Sequence, residues 1–219
     1  MSGDSAIELI HSDPDLSRLS AILEEMGSVA IAYSGGADSS FLLKVAFEVL
    51  GEKARGVLAV SESLDRNELK AARKLAREQG FPLSIIETHE YENPLYRHNG
   101  PDRCYHCKAE LFSEVRRFAA ERGLRWVLDG SHAGDVGDYR PGLKARNEQG
   151  VRSPLLEAGL YKDDIRRFSR LLGLSTWDKP AAPCLSSRIP YGSEVTREKL
   201  RQVELLEELL SFSGFEIRR

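Results

Sequence analysis

The feature that most constrains this chain is a short apolar run, SVAIAY (residues 28–33), that leads directly into SGGADSS and then into FLLKVAFEVLG. Small and branched residues at 28–33 suit a buried strand, whereas Phe41, Leu42, Val45, Ala46 and Val49 recur at helical spacing. A glycine turn joins the two. The same alternation then repeats. ARGVLAV (54–60) reads as a second strand, and Leu69, Ala72, Leu75 and Ala76 mark one face of a helix that stops at Gly80. LSIIETH (83–89) reads as a third strand. Leu111, Phe112, Val115, Phe118 and Ala119 predict a helix within 104–122, and RWVLDG (125–130) follows as a fourth strand. Strands alternating with helices predict an α/β fold with a doubly wound, mainly parallel sheet.

Past Gly130 the pattern loosens into GDVGDYRPGLKARNEQG, and a helix is predicted over 162–172 with Ile165, Phe168, Leu171 and Leu172 facing inward. WDKPAAPCLSSRIPYGSE (177–194) holds three prolines and a glycine, which predicts a fixed loop long enough to carry function. Thr196 is placed to cap a last helix whose Leu200, Val203, Leu206 and Leu210 form an apolar stripe, suited to covering the domain or pairing with another subunit. The expected division is an α/β domain over 1–176, then a cysteine loop and C-terminal helical segment over 177–219.

At 219 residues the chain can bury a core unaided, and no apolar run approaches the roughly 18–20 residues of a membrane span. Its start lacks a basic region followed by an apolar one, and three cysteines cannot form a fully paired disulfide framework, so a reducing cytoplasm is expected. The net charge of −3 argues against a general electrostatic grip on nucleic acid and favours small-molecule partners.

Two constellations carry chemistry. Ser34-Gly35-Gly36-Ala37-Asp38-Ser39 lies between a strand and a helix, where backbone N–H groups converge on an anion and the helix end favours phosphate. No Lys-Ser/Thr pair follows, so it is neither a Walker loop nor a GxGxxG loop. The plain alternative is a glycine turn with Asp38 as a helix cap. Cys104 and Cys107 form a CxxC at a helix start, and Cys184 sits alone in the proline-rich loop. Such thiols suit redox chemistry, zinc with a fourth ligand such as His106, or an iron–sulfur cluster, and they also occur as small core residues. Spacing alone does not choose among these.

The SGGADS turn resembles the PP-loop of ATP pyrophosphatases, which cleave ATP to AMP and pyrophosphate. Together with RCYHCKAELF, DGSHAGDVGDYRPG, the SPL at 153–155 and WDKPAAPCLSSRIPYG, it resembles the LarE-type ATP-dependent sulfur transferases, from about residue 15 to the end. That resemblance implies a PP-loop fold of the adenine nucleotide alpha hydrolase kind. It also implies a role in nickel-pincer nucleotide biosynthesis: adenylylation of a carboxylate of pyridinium-3,5-biscarboxylic acid mononucleotide, followed by conversion to a thiocarboxylate. Members with one cysteine at the position of Cys184 use that thiol as a sacrificial sulfur donor. Members with three resemble a branch in which Cys104, Cys107 and Cys184 hold a [4Fe-4S] cluster whose open iron carries sulfide.

By the same resemblance, Ser34, Gly35, Gly36, Asp38 and Ser39 contact ATP, Asp38 through Mg2+. Ser61 and Gly130, at strand ends, lie where doubly wound sheets bind ligands. Arg140 and Arg188 neutralise substrate phosphate or carboxylates, and Tyr105 stacks on the ligand or packs in the core. His132 and Gly134 depart from the asparagine and aspartate of the family pattern. Family members continue past GFEIRR into arginine-bearing strands, of which Arg218 and Arg219 are the expected beginning, and they assemble as homo-oligomers. The rival readings are a tRNA thiolation enzyme, an amide-forming ligase related to GMP synthetase, and a non-catalytic ATP-binding or zinc-stabilised module.

Overall fold

The computed structural model describes residues 3–135 and 141–215. In chain order the helices and strands are α1 (Gly3–Ser12), α2 (Pro14–Met26), β1 (Val29–Ala32), α3 (Ala37–Leu50), β2 (Ala54–Val60), α4 (Arg66–Gln79) and β3 (Leu83–Glu87). Then come α5 (Pro94–Arg97), α6 (Arg103–Glu121), β4 (Trp126–Leu128), α7 (Pro141–Glu148), α8 (Pro154–Glu157), α9 (Lys162–Leu171) and α10 (Arg197–Phe212). The four strands form one parallel sheet in the order β3-β2-β1-β4. A parallel pairing of Leu128 with Arg152 extends the sheet beside β4.

Alternation of side chains along β1 divides the core. Val29 and Ile31 point to a large cluster with α2, α3, α4 and α9, while Ala30 points to a second cluster built on Phe112, Val115 and Phe118 of α6. Helices therefore cover both faces, as the strand–helix alternation predicts. A third, smaller cluster joins Tyr96 to Leu185, Ile189, Val195 and Leu200, so the loop after residue 177 is seated on its own apolar base.

Two regions carry more structure than their sequence pattern suggests. Pro14 opens α2 behind Asp13, whose carboxylate accepts from the N–H groups of Asp15 and Leu16 at 3.0 and 3.3 Å, and α2 buries Leu16, Leu19, Leu23 and Met26. The stretch past residue 140, expected to be loose, holds α7, which packs on α6 through Ala145. The stripe on α10 splits. Leu200 is buried and Val203 half-buried against the third cluster, whereas Leu206 and Leu210 are exposed. Among the described residues no helix is long and apolar enough to cross a membrane.

Candidate active site

The strand order reverses direction at β1, so the C-terminal ends of β1 and β4 splay around a crevice, the usual ligand position in an open α/β sheet. The glycine loop lies at that point. Gly35 has φ +71°, and a Cβ there would lie 2.5 Å from Ala72 Cβ and 2.9 Å from Ala72 Cα, so glycine is required both by conformation and by contact with α4. Gly36 occupies the N-cap of α3 with no side-chain cap, leaving first-turn N–H groups directed at the crevice. Ser39 ties the loop together: its hydroxyl lies 3.1 Å from Ser34 Oγ and accepts from Ser34 N at 3.2 Å.

Gly130 serves this loop from the far side. A Cβ on it would meet Ser39 N at 3.0 Å and Asp38 C at 3.2 Å, so its small size lets the β4 end approach the start of α3. Beside it, buried Asp129 accepts from Ser131 Oγ at 2.7 Å and Ser153 Oγ at 2.5 Å, which fixes the crevice wall. His132 is folded into that wall, with its Nδ1 accepting from Gly134 N at 3.1 Å and its own N–H donating to Asp135. The crevice has a volume of about 350 Å³, within the range of small-molecule sites.

A second cavity of about 560 Å³ adjoins it and is lined by all three cysteines. Cys104 is exposed on the first turn of α6, Cys107 is half-buried one turn later, and Cys184 is exposed on the proline-rich loop. Ser34, Gly36, Asp38, Leu64 and Lys108 line both cavities, so the glycine loop and the cysteines share a wall. Burial pushes the Cys107 thiol well above its ordinary value, and the buried Glu90 carboxylate adds to the effect.

A buried polar network seats the cysteine loop. Arg103 donates to Asn99 Oδ1 and to the Ser186 carbonyl, both at 2.6 Å. Asn99, at φ +59°, donates in turn to the carbonyls of Ile189, Pro190 and Ser193. Tyr96 Oη lies 2.5 Å from Ser186 Oγ, and Leu185 N donates to the Ser63 carbonyl at 3.0 Å. Burial raises the Tyr96 phenol well above its usual value, keeping it neutral. Among the described residues no three His, Cys, Asp or Glu side chains converge as the ligands of a single ion would. His106, a candidate fourth zinc ligand, instead pairs with Asp102 at 3.2 Å.

Of the other expected residues, Ser61 is hydrogen-bonded to Ser63 at 3.0 Å beyond the end of β2. Arg188 pairs with Glu207 of α10. Tyr105 donates to Glu148 Oε2 at 2.6 Å and packs, half-buried, against the second core cluster. Arg140, Arg218 and Arg219 lie outside the described residues. Two lysines not singled out from the sequence lie against the glycine loop. Lys162 Nζ lies 2.6 Å from Asp38 Oδ1, and Lys179 Nζ lies 2.6 Å from Glu68 and 3.2 Å from the Gly35 carbonyl. Both come from distant sequence; Lys179 stands within the WDKPAAPC motif, but nothing local names the partner of either lysine.

No family model matches the chain. Over 198 residues, however, it is 39% identical to pyridinium-3,5-bisthiocarboxylic acid mononucleotide synthase of Lactiplantibacillus plantarum, covering 90% of this chain and 72% of that protein. The chain belongs to the LarE family of sulfur transferases. It is also 45% identical over 200 residues to an uncharacterised protein of Synechocystis sp., covering 91% of this chain and 75% of that one. A glutamine-hydrolysing GMP synthase component of Thermoplasma volcanium is 31% identical over 80% of this chain but only 60% of its own length, which ties this LarE enzyme to the wider PP-loop superfamily. The ligase reading is thereby set below the sulfur-transferase one. The glycine loop, the reversed strand order and the crevice are those of an ATP-using PP-loop enzyme.

Proposed function

We propose that this LarE enzyme adenylylates a carboxylate of pyridinium-3,5-biscarboxylic acid mononucleotide and converts it to a thiocarboxylate, with sulfur carried at a [4Fe-4S] cluster held by Cys104, Cys107 and Cys184. The observation that carries this reading is the shared wall of the nucleotide crevice and the three-cysteine cavity. An acyl-adenylate is labile in water, so activation and sulfur delivery belong in adjoining spaces. In the first half-reaction a substrate carboxylate oxygen attacks the α-phosphorus of ATP and pyrophosphate leaves. In the second, sulfide attacks the acyl carbon and AMP departs with the carbon–oxygen electron pair.

The loop N–H groups of α3 and the Gly36 backbone bind and orient the phosphates, and Asp38 holds Mg2+ against them. Lys162, paired with Asp38, supplies positive charge where pyrophosphate develops. The donor set fits a cluster in kind, with three thiols around one cavity and none left over. When bound, a cluster held by three thiolates leaves one iron open for a sulfur atom. Arg140 and Arg188 are proposed to meet the substrate's anionic groups. Exposed Leu206 and Leu210 of α10 support contact with a second copy of the chain, and three free thiols fit a reducing cytoplasm.

Anaerobically prepared protein should contain about four irons with matching sulfide, and Cys104→Ala should lose them. Given substrate, ATP, Mg2+ and sulfide, it should release pyrophosphate and form thiocarboxylate over many turnovers. Absence of iron after anaerobic reconstitution sinks the cluster; conversion of Cys184 to dehydroalanine in a single turnover identifies that thiol as the donor instead.

A further inference from the structure

The chain from Lys179 to Cys184 forms a strap along one wall of the cysteine cavity. Pro180, Ala181, Ala182, Pro183 and Cys184 all line that cavity. At its far end the strap is secured by Leu185 N on the Ser63 carbonyl, just beyond β2. At its near end Lys179 N donates to the Thr176 carbonyl at 3.1 Å, and the Lys179 ammonium reaches the nucleotide loop. That ammonium donates to the Gly35 carbonyl at 3.2 Å and to Glu68 Oε2 at 2.6 Å.

These contacts form one unit. Glu68 and Ala72 are four residues apart on one face of α4; Ala72 is the residue against which Gly35 packs, and Glu68 holds the lysine that grips the Gly35 carbonyl. The apex of the nucleotide loop, α4 and the root of the strap are therefore fixed to one another by a side chain five residues before Cys184. The lysine and glutamate side chains are only 20% and 30% exposed, which favours a fixed geometry over a fluctuating surface pair. Two prolines restrict the strap's remaining freedom.

We propose that Lys179 is a positioning residue that sets the cysteine strap in register with the nucleotide loop, so that the sulfur carrier that Cys184 helps to hold meets the carboxylate activated beside that loop. The inference rests on the sulfur-transfer reading above. Without the lysine, adenylylation proceeds while sulfur transfer fails, and the adenylate is lost to water.

The test compares wild type, Lys179→Met and Lys179→Arg, with pyrophosphate and thiocarboxylate measured in the same reaction. Lys179→Met should lower thiocarboxylate formation about 100-fold, the scale of a displacement near 1 Å, while pyrophosphate release falls far less, so that the ratio of pyrophosphate to thiocarboxylate rises steeply. Lys179→Arg, which keeps a donor and charge, should recover most of the coupling. A second readout needs no loaded enzyme: in a Cys104→Ser/Cys107→Ser background, alkylation of Cys184 should be faster in Lys179→Met, and its melting temperature identifies any folding failure. A raised KM for ATP with both half-reactions falling together makes Lys179 a phosphate ligand and overturns the proposal, as does unchanged coupling with unchanged alkylation. Failure of wild type itself to form thiocarboxylate from any sulfur source refutes the earlier reading, whereas Cys184 alkylation still decides the placement of the strap.

Discussion

Lys162 Nζ lies 2.6 Å from Asp38 Oδ1, a contact that joins the start of α9 to the first turn of α3 across 124 residues of sequence. The two side chains are 34% and 31% exposed, so solvent screening limits the pair to about 1 kcal/mol of stability or less. The role proposed for the pair is in ATP activation. Asp38→Ala should leave the melting temperature nearly unchanged while lowering pyrophosphate release by about 100-fold or more, the scale of a lost electrostatic element in a preorganised site. Lys162→Met should raise the KM for ATP about tenfold, equivalent to one charge-assisted hydrogen bond. Steady-state kinetics beside thermal melts separates these effects from instability.

Gly35 is constrained twice over, by its positive φ and by Ala72. Gly35→Ala should destabilise the protein by about 2–4 kcal/mol through backbone strain and overpacking. Adding Ala72→Gly removes the 2.5 Å collision with the Ala72 methyl but leaves the 2.9 Å approach to its Cα and the strain, so the double variant should recover only part of the loss. Urea unfolding of the three variants and wild type measures both parts.

Gly130→Ala tests the crevice from the opposite wall. The added methyl meets backbone atoms of Asp38 and Ser39, which have little room to yield, so the start of α3 must move. The expected result is about 1–3 kcal/mol of destabilisation and a higher KM for ATP. Unchanged ATP binding in titration calorimetry would show that Gly130 only fills space.

Arg103 is buried and serves two acceptors at 2.6 Å. Arg103→Met leaves Asn99 Oδ1 and the Ser186 carbonyl without this donor and should cost about 2–4 kcal/mol. Arg103→Lys should restore little, because a single ammonium does not reproduce the planar fork. Faster proteolysis within residues 185–195 in both variants is the expected sign that the cysteine loop has loosened.

Tyr33 is buried and donates to the Ala72 carbonyl at 3.1 Å, and burial pushes its phenol up to about 12. The unfolded chain loses this proton near pH 10 whereas the folded chain keeps it, so the contribution is complete below pH 10 and lost as pH rises towards 12. Stability should fall by about 1.4 kcal/mol per pH unit in that window from this group. Tyr33→Phe should flatten the slope, at a constant cost of about 1 kcal/mol for the lost hydrogen bond. Urea midpoints between about pH 9 and 12 give both quantities.

Much of the fold is legible in local pattern. β1, β2 and the helices after them follow from apolar periodicity, and Gly35 follows from a turn that requires positive φ, because neighbouring residues set both. α2 carries a readable signal in Asp13-Pro14, a cap followed by a helix-starting proline, although its polar flanks mask the apolar face. The partner of Tyr105 is not legible locally: its hydroxyl is engaged by Glu148, 43 residues away.

Local sequence dictates the strand–turn–helix alternation, the backbone conformation of the glycine loop and the presence of three thiols, since each depends on residues close together in the chain. Long-range packing alone brings Lys162 to Asp38, sets Lys179 on the Gly35 carbonyl and gives the cysteine cavity a wall in common with the nucleotide crevice. The lysine contacts span 124 and 144 residues, and a flexible cation in a polar segment carries no periodic signal of its partner. Those groups meet only when the sheet has closed and the proline-rich strap has seated on it.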